Sequence, residues 1–289
     1  MTKEEIDIIR GLAERHAGIE LEAGKEYLIE SRLLPVARKH GLSSLSVLIA
    51  RLRQSPAGPV HTQVVEALTT QETFFFRDGH PFDALRQTIL PDLVARRLTE
   101  RRLDIWCGAA STGQEPYSVA MMLREHFPQL AGWRVRILAT DLADSALRRA
   151  EEGRFNAVEV GRGLEAAMLK RYFIEEAAGW RVRPEIRAMV EFRKLNLAFP
   201  WTDVPDADLI LMRNVLIYFS VRVKKEVLKR LHRQLRPDGY LMLGAAETTM
   251  HLDDTFHVQH LERTTCYRPG KVKPLGFTPI AAPLPRSRR

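Results

Sequence analysis

The residues best placed to do chemistry lie in LDIWCGAASTGQEPYSVAMML, residues 103 to 123. A strand-like apolar run ends in a crowd of small residues, and Glu115 stands at the mouth of the helix that follows. Strand, glycine-bearing turn and helix together make a generic nucleotide site. A helix N-terminus offers unpaired N–H groups, and small residues let the backbone approach a ligand. GAASTGQE has the G-x-x-x-x-G spacing of a phosphate loop, but Gln114 and Glu115 stand where Lys and Ser/Thr are required, and a carboxylate there would repel a polyphosphate. The dinucleotide fingerprint G-x-G-x-x-G is also missing at this turn. A nucleoside carrying a cationic centre suits Glu115 better.

A second carboxylate supports that choice. The strand ILATD ends in Asp141, where a carboxylate is placed to accept ribose hydroxyls. S-adenosylmethionine has the matching parts: ribose, sulfonium, ammonium and no phosphate. Each carboxylate also has a structural alternative, since a helix dipole favours Glu115 at its position and Asp141 is suited to cap a helix.

These residues need a parallel sheet to carry them. From about residue 84 the pattern alternates helix and apolar strand, the signature of a sheet covered by helices. FDALRQTILPDLVARRL reads as a helix, LDIWC as a strand, EPYSVAMMLREHF as a helix, RVRILATD as a strand and DSALRRAEEG as a helix. Later, ADLILMRN and GYLMLGA read as strands around the helix KKEVLKRLHRQL, with LRPDG as a turn. FHVQHLERTTCYRP reads as an edge hairpin. WRVR and MVEFRKL suggest a small antiparallel insertion at about 172–195. Residues 1–78 read as all helical, with Gly18 and Gly41 as stop signals. The expected organisation is therefore a helical domain over 1–78, an α/β domain over 79–268 and a proline-rich basic tail over 269–289.

Composition sets outer limits. The 289 residues are 45% hydrophobic, which excludes global disorder. No signal-peptide core or membrane-length apolar run is seen, so a cytoplasmic location without membrane insertion is expected. Cys107 and Cys266 form no metal-ligand pattern, and no metal site is expected. The formal charge of +8 is concentrated at the end, because six basic residues and no acid lie between Arg268 and Arg289. That tail is expected to be a disordered end or a linker from something longer. A basic run of Arg32, Arg38, Lys39, Arg51 and Arg53, with no acid between residues 31 and 65, is either a solvated helix surface or a docking face for an acidic partner.

The ordered set LTTQETFFFRD, AASTGQEPYS, ATDLADSAL, VEFRKLNL and MRNVLIYF resembles the chemotaxis receptor methyltransferases of the CheR family, over about residues 5 to 268. The resemblance implies a Rossmann-like S-adenosylmethionine methyltransferase domain with a small antiparallel β insertion, preceded by an all-helical N-terminal domain. It also implies methyl transfer to receptor glutamates, leaving S-adenosylhomocysteine. Thr73 and Arg77 match the family's N-x-T-x-F-F-R, while Gln71 stands where Asn is usual and lengthens the amide by one methylene. Glu115 and Asp141 match cofactor-binding carboxylates, Asn196 and Leu197 the pair near the adenine, and Arg213 with Asn214 the pair after the fourth strand. Tyr218 matches a tyrosine lining the reaction site, and Arg77 is implied near the reacting centre as well as the cofactor.

The partner implied is the acidic cytoplasmic helix of a receptor, met by a monomer through the basic run. In some members a glycine-containing loop of the insertion binds a pentapeptide at the receptor's C-terminus. YFIEEAAGWRVR looks shorter, so recognition without that tether is expected. A nucleic-acid methyltransferase is the rival enzyme reading, but Asn214 is followed by VLIYF without the proline turn of amino-methylating enzymes, and charge outside the tail is modest. A non-catalytic cofactor-sensing module is the rival of another class, and the presence of both Arg77 and Tyr218 speaks against it.

Overall fold

A computed structural model describes residues 1–54 and 58–270. The expected tail therefore lies, from residue 271 onward, outside the described residues. Pro269 itself is the last residue of a strand.

Four helices open the chain: α1 (Lys3–Ala17), α2 (Glu26–Lys39), α3 (Leu45–Gln54) and α4 (Pro59–Leu68). A capping box starts α1, with Thr2 accepting from the Glu5 amide and the Glu5 carboxylate accepting from the Thr2 amide. Gly18 ends α1 at φ 67°. A Cβ there would sit 2.8 Å from the Ala198 Cβ and 3.1 Å from the Val223 Cγ1, so this glycine also lets the helical unit close onto the rest of the chain.

The linker 69–79 leads into α5 (His80–Ala84), a wide π turn (Leu85–Ile89) and α6 (Leu90–Arg96). Pro91 lacks an N–H to continue the ladder, and the wider turn before it accommodates that loss. What the sequence presents as one helix is thus a helix with a π insertion.

The main sheet has seven strands: β1 (Arg102–Gly108), β2 (Arg134–Asp141), β6 (Val190–Lys194), β7 (Ala207–Met212), β8 (Leu235–Leu243), β9 (Phe256–Leu261) and β10 (Thr264–Pro269). Their spatial order is β6-β2-β1-β7-β8-β10-β9. The first five run parallel, and β10 is antiparallel to both of its neighbours, so the edge strand β9 runs in the direction of the first five. Chain order reverses between β1 and β7, which makes the crevice at the C-terminal ends of β1, β2 and β7 the natural ligand site. All six residues of β7 are buried, as expected of a parallel strand covered on both faces.

Alternation along β1 divides the core. Leu103, Ile105 and Cys107 face a cluster that holds Phe82, Leu93 and Val119, whereas Trp106 faces one that holds Ile9, Leu33, Leu48 and Leu228. The N-terminal helices and α12 (Val221–Gln234) therefore cover the same face of the sheet and share a continuous core. The other face is covered by α5, α6 and α7 (Gln114–His126).

The insertion differs from expectation. It contains β3 (Arg154–Phe155), α9 (Ala157–Val160), α10 (Ala166–Tyr172), β4 (Phe173–Glu176) and β5 (Gly179–Val182), and follows α8 (Asp144–Glu152). Its three strands form a separate antiparallel sheet ordered β3-β5-β4. The stretch MVEFRKL, assigned from sequence to the insertion at 172–195, instead supplies β6, which pairs in parallel with β2 after the short α11 (Pro184–Arg187). As an edge strand, β6 is only partly covered, with Val190 buried and Glu191 and Lys194 exposed, and its sequence alternates apolar and polar from Val190 to Arg193, as a small antiparallel sheet also shows. LRPDG is likewise inside β8, where five steps from Leu235 to Tyr240 oppose two from Ala207 to Leu209. Pro237 is tolerated in that bulge.

Candidate active site

The loop after β1 turns through left-handed backbone. Ala109 and Ser111 have φ of 54° and 51°, and Gly113, the N-cap of α7, has φ 94°. A Cβ on Gly113 would lie 2.9 Å from the Ala150 Cβ, so the glycine packs α7 against α8. Of the eight non-glycine residues with positive φ among the described residues, Phe76, Asp78, Ala109, Ser111 and Asn214 lie in segments around this crevice. Such clustering is characteristic of ligand-binding segments.

These segments enclose a cavity of about 320 Å³. Gln71, Thr73, Arg77, Glu115, Asp141, Asn196, Leu197, Arg213, Asn214 and Tyr218 all line it. Residues that span just over half the chain are thus brought to one cavity by four strand ends and the linker. The lining also includes residues that periodicity did not single out: Ser111, and Ile19 to Glu22 with Lys25 from the turn between α1 and α2. That turn is tied down by main-chain pairing, because the Glu20 amide donates to the Tyr218 carbonyl at 2.8 Å.

Asp141, at the end of β2, is buried. One carboxylate oxygen accepts from the Ser111 amide at 2.8 Å and the other from the Ala143 amide at 2.9 Å. Burial raises its carboxyl above the ordinary range, while those amides oppose the rise. Among the described residues it has no ion-pair partner. Glu115 differs, since its carboxylate lies 2.8 Å from the Arg213 guanidinium. Burial pushes the Glu115 carboxyl up, and the Arg213 charge opposes it. Glu115 thus meets a cation of its own chain, a partner that the loop sequence did not indicate. The Arg213 guanidinium is shared between the carboxylates of Glu115 and Asp78.

Arg213 is itself buried. It also donates to the Arg77 carbonyl at 3.0 Å and to the Asp78 carboxylate at 2.8 Å, so it clamps the linker to the mouth of α7. Ser111 Oγ donates to the Gln71 carbonyl at 3.0 Å, and the Phe76 amide donates to Ser118 Oγ at 3.0 Å. Arg77 is partly exposed, donates to the Glu72 carbonyl at 2.9 Å and lies over the Phe74 ring at 5.4 Å. Asn196 donates to the His16 carbonyl at 2.7 Å, which ties the far wall to α1.

The five residues of the basic run separate. Arg32 lines the cavity and donates to the Leu68 carbonyl at 2.7 Å and Thr70 Oγ1 at 2.9 Å, so it anchors the linker and is not part of an exposed docking face. Arg38 and Lys39 on α2 and Arg51 and Arg53 on α3 are exposed, with Arg53 3.3 Å from Glu4. Among the described residues, no group of three or more His, Cys, Asp or Glu could hold a metal ion, and no helix is long and apolar enough to cross a membrane.

The cavity fits a nucleoside rich in donors. Among the described residues, Gln71 Oε1 and Asn214 Oδ1 are buried acceptors without partners, and Asp141 adds carboxylate lone pairs. S-adenosylmethionine carries ribose hydroxyls, an adenine amine and an ammonium group to meet them. A switched parallel sheet with a closing antiparallel pair, carrying this donor-hungry crevice at its strand ends, defines the S-adenosylmethionine-dependent methyltransferase class.

Residues 71–265 match the CheR methyltransferase S-adenosylmethionine-binding domain, and residues 4–69 match the CheR methyltransferase all-alpha domain. The chain belongs to the CheR methyltransferase family. It is 40% identical over 269 residues to chemotaxis protein methyltransferase 1 of Pseudomonas aeruginosa, covering 91% of this chain and 97% of that one. It is also 40% identical to a chemotaxis protein methyltransferase of Pseudomonas putida over 86% of this chain and 92% of that one. A counterpart in Vibrio cholerae is 39% identical over 85% and 89%.

Proposed function

We propose that this methyltransferase esterifies glutamate side chains on the cytoplasmic helices of chemotaxis receptors. The observation that carries the reading is that Arg77 and Tyr218, suited to receive a carboxylate, line the same cavity as Asp141 and Glu115. The relatives' shared description as chemotaxis protein methyltransferases supports the choice of partner.

When bound, the cofactor supplies an electrophilic methyl group on sulfonium. Asp141, Gln71, Thr73, Glu115, Asn196, Leu197, Arg213 and Asn214 would hold it. A glutamate with an ordinary pKa of about 4.3 is already ionised at neutral pH, so no residue here has to remove a proton. The work left to the chain is orientation and exclusion of water. Arg77 has its guanidinium steered by Glu72 and Phe74, and its remaining N–H groups suit a carboxylate. Tyr218 contributes a wall and a hydroxyl, while the turn from Ile19 to Lys25 shields one side. The ester formed removes one negative charge from a receptor helix, a change able to bias a signalling bundle.

Exposed Arg38, Lys39, Arg51 and Arg53 suit an acidic helix. Only Ala177 and Ala178 join β4 to β5, and so short a turn supports recognition without the pentapeptide tether. Incubation with methyl-labelled cofactor and receptor cytoplasmic fragments should give base-labile label on glutamate. Arg77→Ala should slow the transfer by about 100-fold, the scale of a misplaced reactant. Base-stable label, label on another residue type, or an unchanged Arg77→Ala rate would overturn the reading.

A further inference from the structure

Glu247, in the loop GAAETTM after β8, has no periodicity or motif to mark it, and it is absent from the cavity lining. Its carboxylate is nevertheless a junction. One oxygen accepts from the Asn214 amide at 2.7 Å and the Gly244 amide at 2.6 Å. The other accepts from the Val215 amide at 2.8 Å and the Ile217 amide at 3.3 Å. Four main-chain donors thus converge on a side chain that is 8% exposed. Three belong to the segment that turns from the end of β7 into the short 3-10 turn Leu216–Tyr218, and the fourth belongs to the end of β8.

We infer that Glu247 is the positioning residue of the cofactor wall, fixing Asn214 and Tyr218 by gathering the backbone that carries them. Three observations converge. Asn214 holds φ 59°, a left-handed turn that asparagine tolerates better than most residues, and the amides of Asn214 and Val215 that flank this turn both end on Glu247. Asn214 Oδ1 is buried and has no partner among the described residues, so the amide's direction is set from its backbone. Gly244 leaves no room for slack, since a Cβ there would lie 2.7 Å from Glu247 Oε2, 2.7 Å from Asn214 Nδ2 and 2.8 Å from the Asn214 amide. A carboxylate has the acceptor sites for four amides, and a carboxamide does not: its NH₂ would face two N–H donors.

The inference rests on the reading of this cavity as the cofactor site, and the test separates the two. Affinity for S-adenosylhomocysteine is measured by calorimetry on the full chain, together with amide exchange over residues 213–217. Glu247→Gln should weaken binding about 10- to 100-fold, in the range set by small misplacements, and should speed exchange in that segment. Gly244→Ala disturbs the same junction without changing its charge, and should shift both readouts in the same direction should Glu247→Gln fail to fold. Asp238→Asn, which breaks the ion pair to Arg97 away from the cavity, serves as the stability control and should leave affinity within about twofold. Asp141→Ala reports on the cavity itself. If Asp141→Ala weakens binding while Glu247→Gln and Gly244→Ala do not, the positioning role is overturned. It is overturned equally if Asp238→Asn weakens binding as much as they do. If Asp141→Ala has no effect either, the cofactor reading of the cavity fails with it.

Discussion

At the scale of single residues, Arg213 decides the electrostatics of the site. It is a buried cation that meets Glu115, Asp78 and a main-chain carbonyl. Arg213→Met would leave Glu115 buried without its partner, a situation that costs about 3–5 kcal/mol. The Glu115 carboxyl, already raised by burial, would rise further once the guanidinium is gone. A carboxyl with a raised folded pKa favours folding below its unfolded pKa of about 4.3, and that contribution is lost as pH rises through the folded value. The melting-temperature gap between parent and variant should therefore widen as pH rises above about 4. Glu115→Gln in the same chain should flatten it, and a gap independent of pH would contradict the assignment. None of this pairing is legible in sequence, where Arg213 and Glu115 are separated by 98 positions. The loop chemistry, which needs only adjacent residues, identified Glu115 and Asp141. It could not show that Glu115 has a cationic partner within the chain.

At the scale of elements, Gly18 and Gly41 form a natural comparison. Both have φ 67°, but a Cβ on Gly41 meets nothing within 4 Å, whereas one on Gly18 collides with Ala198. Gly41→Ala should cost about 1–2 kcal/mol, the penalty of left-handed backbone alone. Gly18→Ala should cost clearly more in urea denaturation, because overpacking adds about 1–3 kcal/mol. Equal losses would show that the contact with Ala198 relaxes freely. Period and punctuation made most helices and the central strands readable, since β1, β2 and β7 are apolar runs with turn signals at their ends. The failures have a common cause. MVEFRKL alternates because β6 is an edge strand, and alternation cannot tell an edge from a small separate sheet. LRPDG has turn chemistry, yet the bulge in β8 absorbs it. Glu247 stands in a stretch without period, and its role arises only where the ends of two strands meet.

At the scale of the whole molecule, charge and shape point outward from the site. The exposed arginines of α3 lie outside the cavity lining, so reversing them should disturb docking and spare the chemistry. Arg51→Glu with Arg53→Glu should raise KM for receptor fragments about tenfold and leave affinity for S-adenosylhomocysteine unchanged. An unchanged KM would remove this face from recognition. Arg53 also loses its contact with Glu4 in that variant, but an exposed pair contributes about 0–1 kcal/mol, too little to unfold the chain.

The turn from Ile19 to Lys25 forms one side of the cavity, and the helices around it complete the same core as Trp106 and Leu228. The two halves are therefore not interchangeable cassettes. A catalytic half cut free near residue 70 would be an open shell with a bare apolar face, and a helical half grafted from a relative would have to bring a matching wall with it. Substitutions that repack the N-terminal helices against the sheet are therefore constrained by the cavity wall those helices carry, whereas their exposed faces are free to vary without disturbing it.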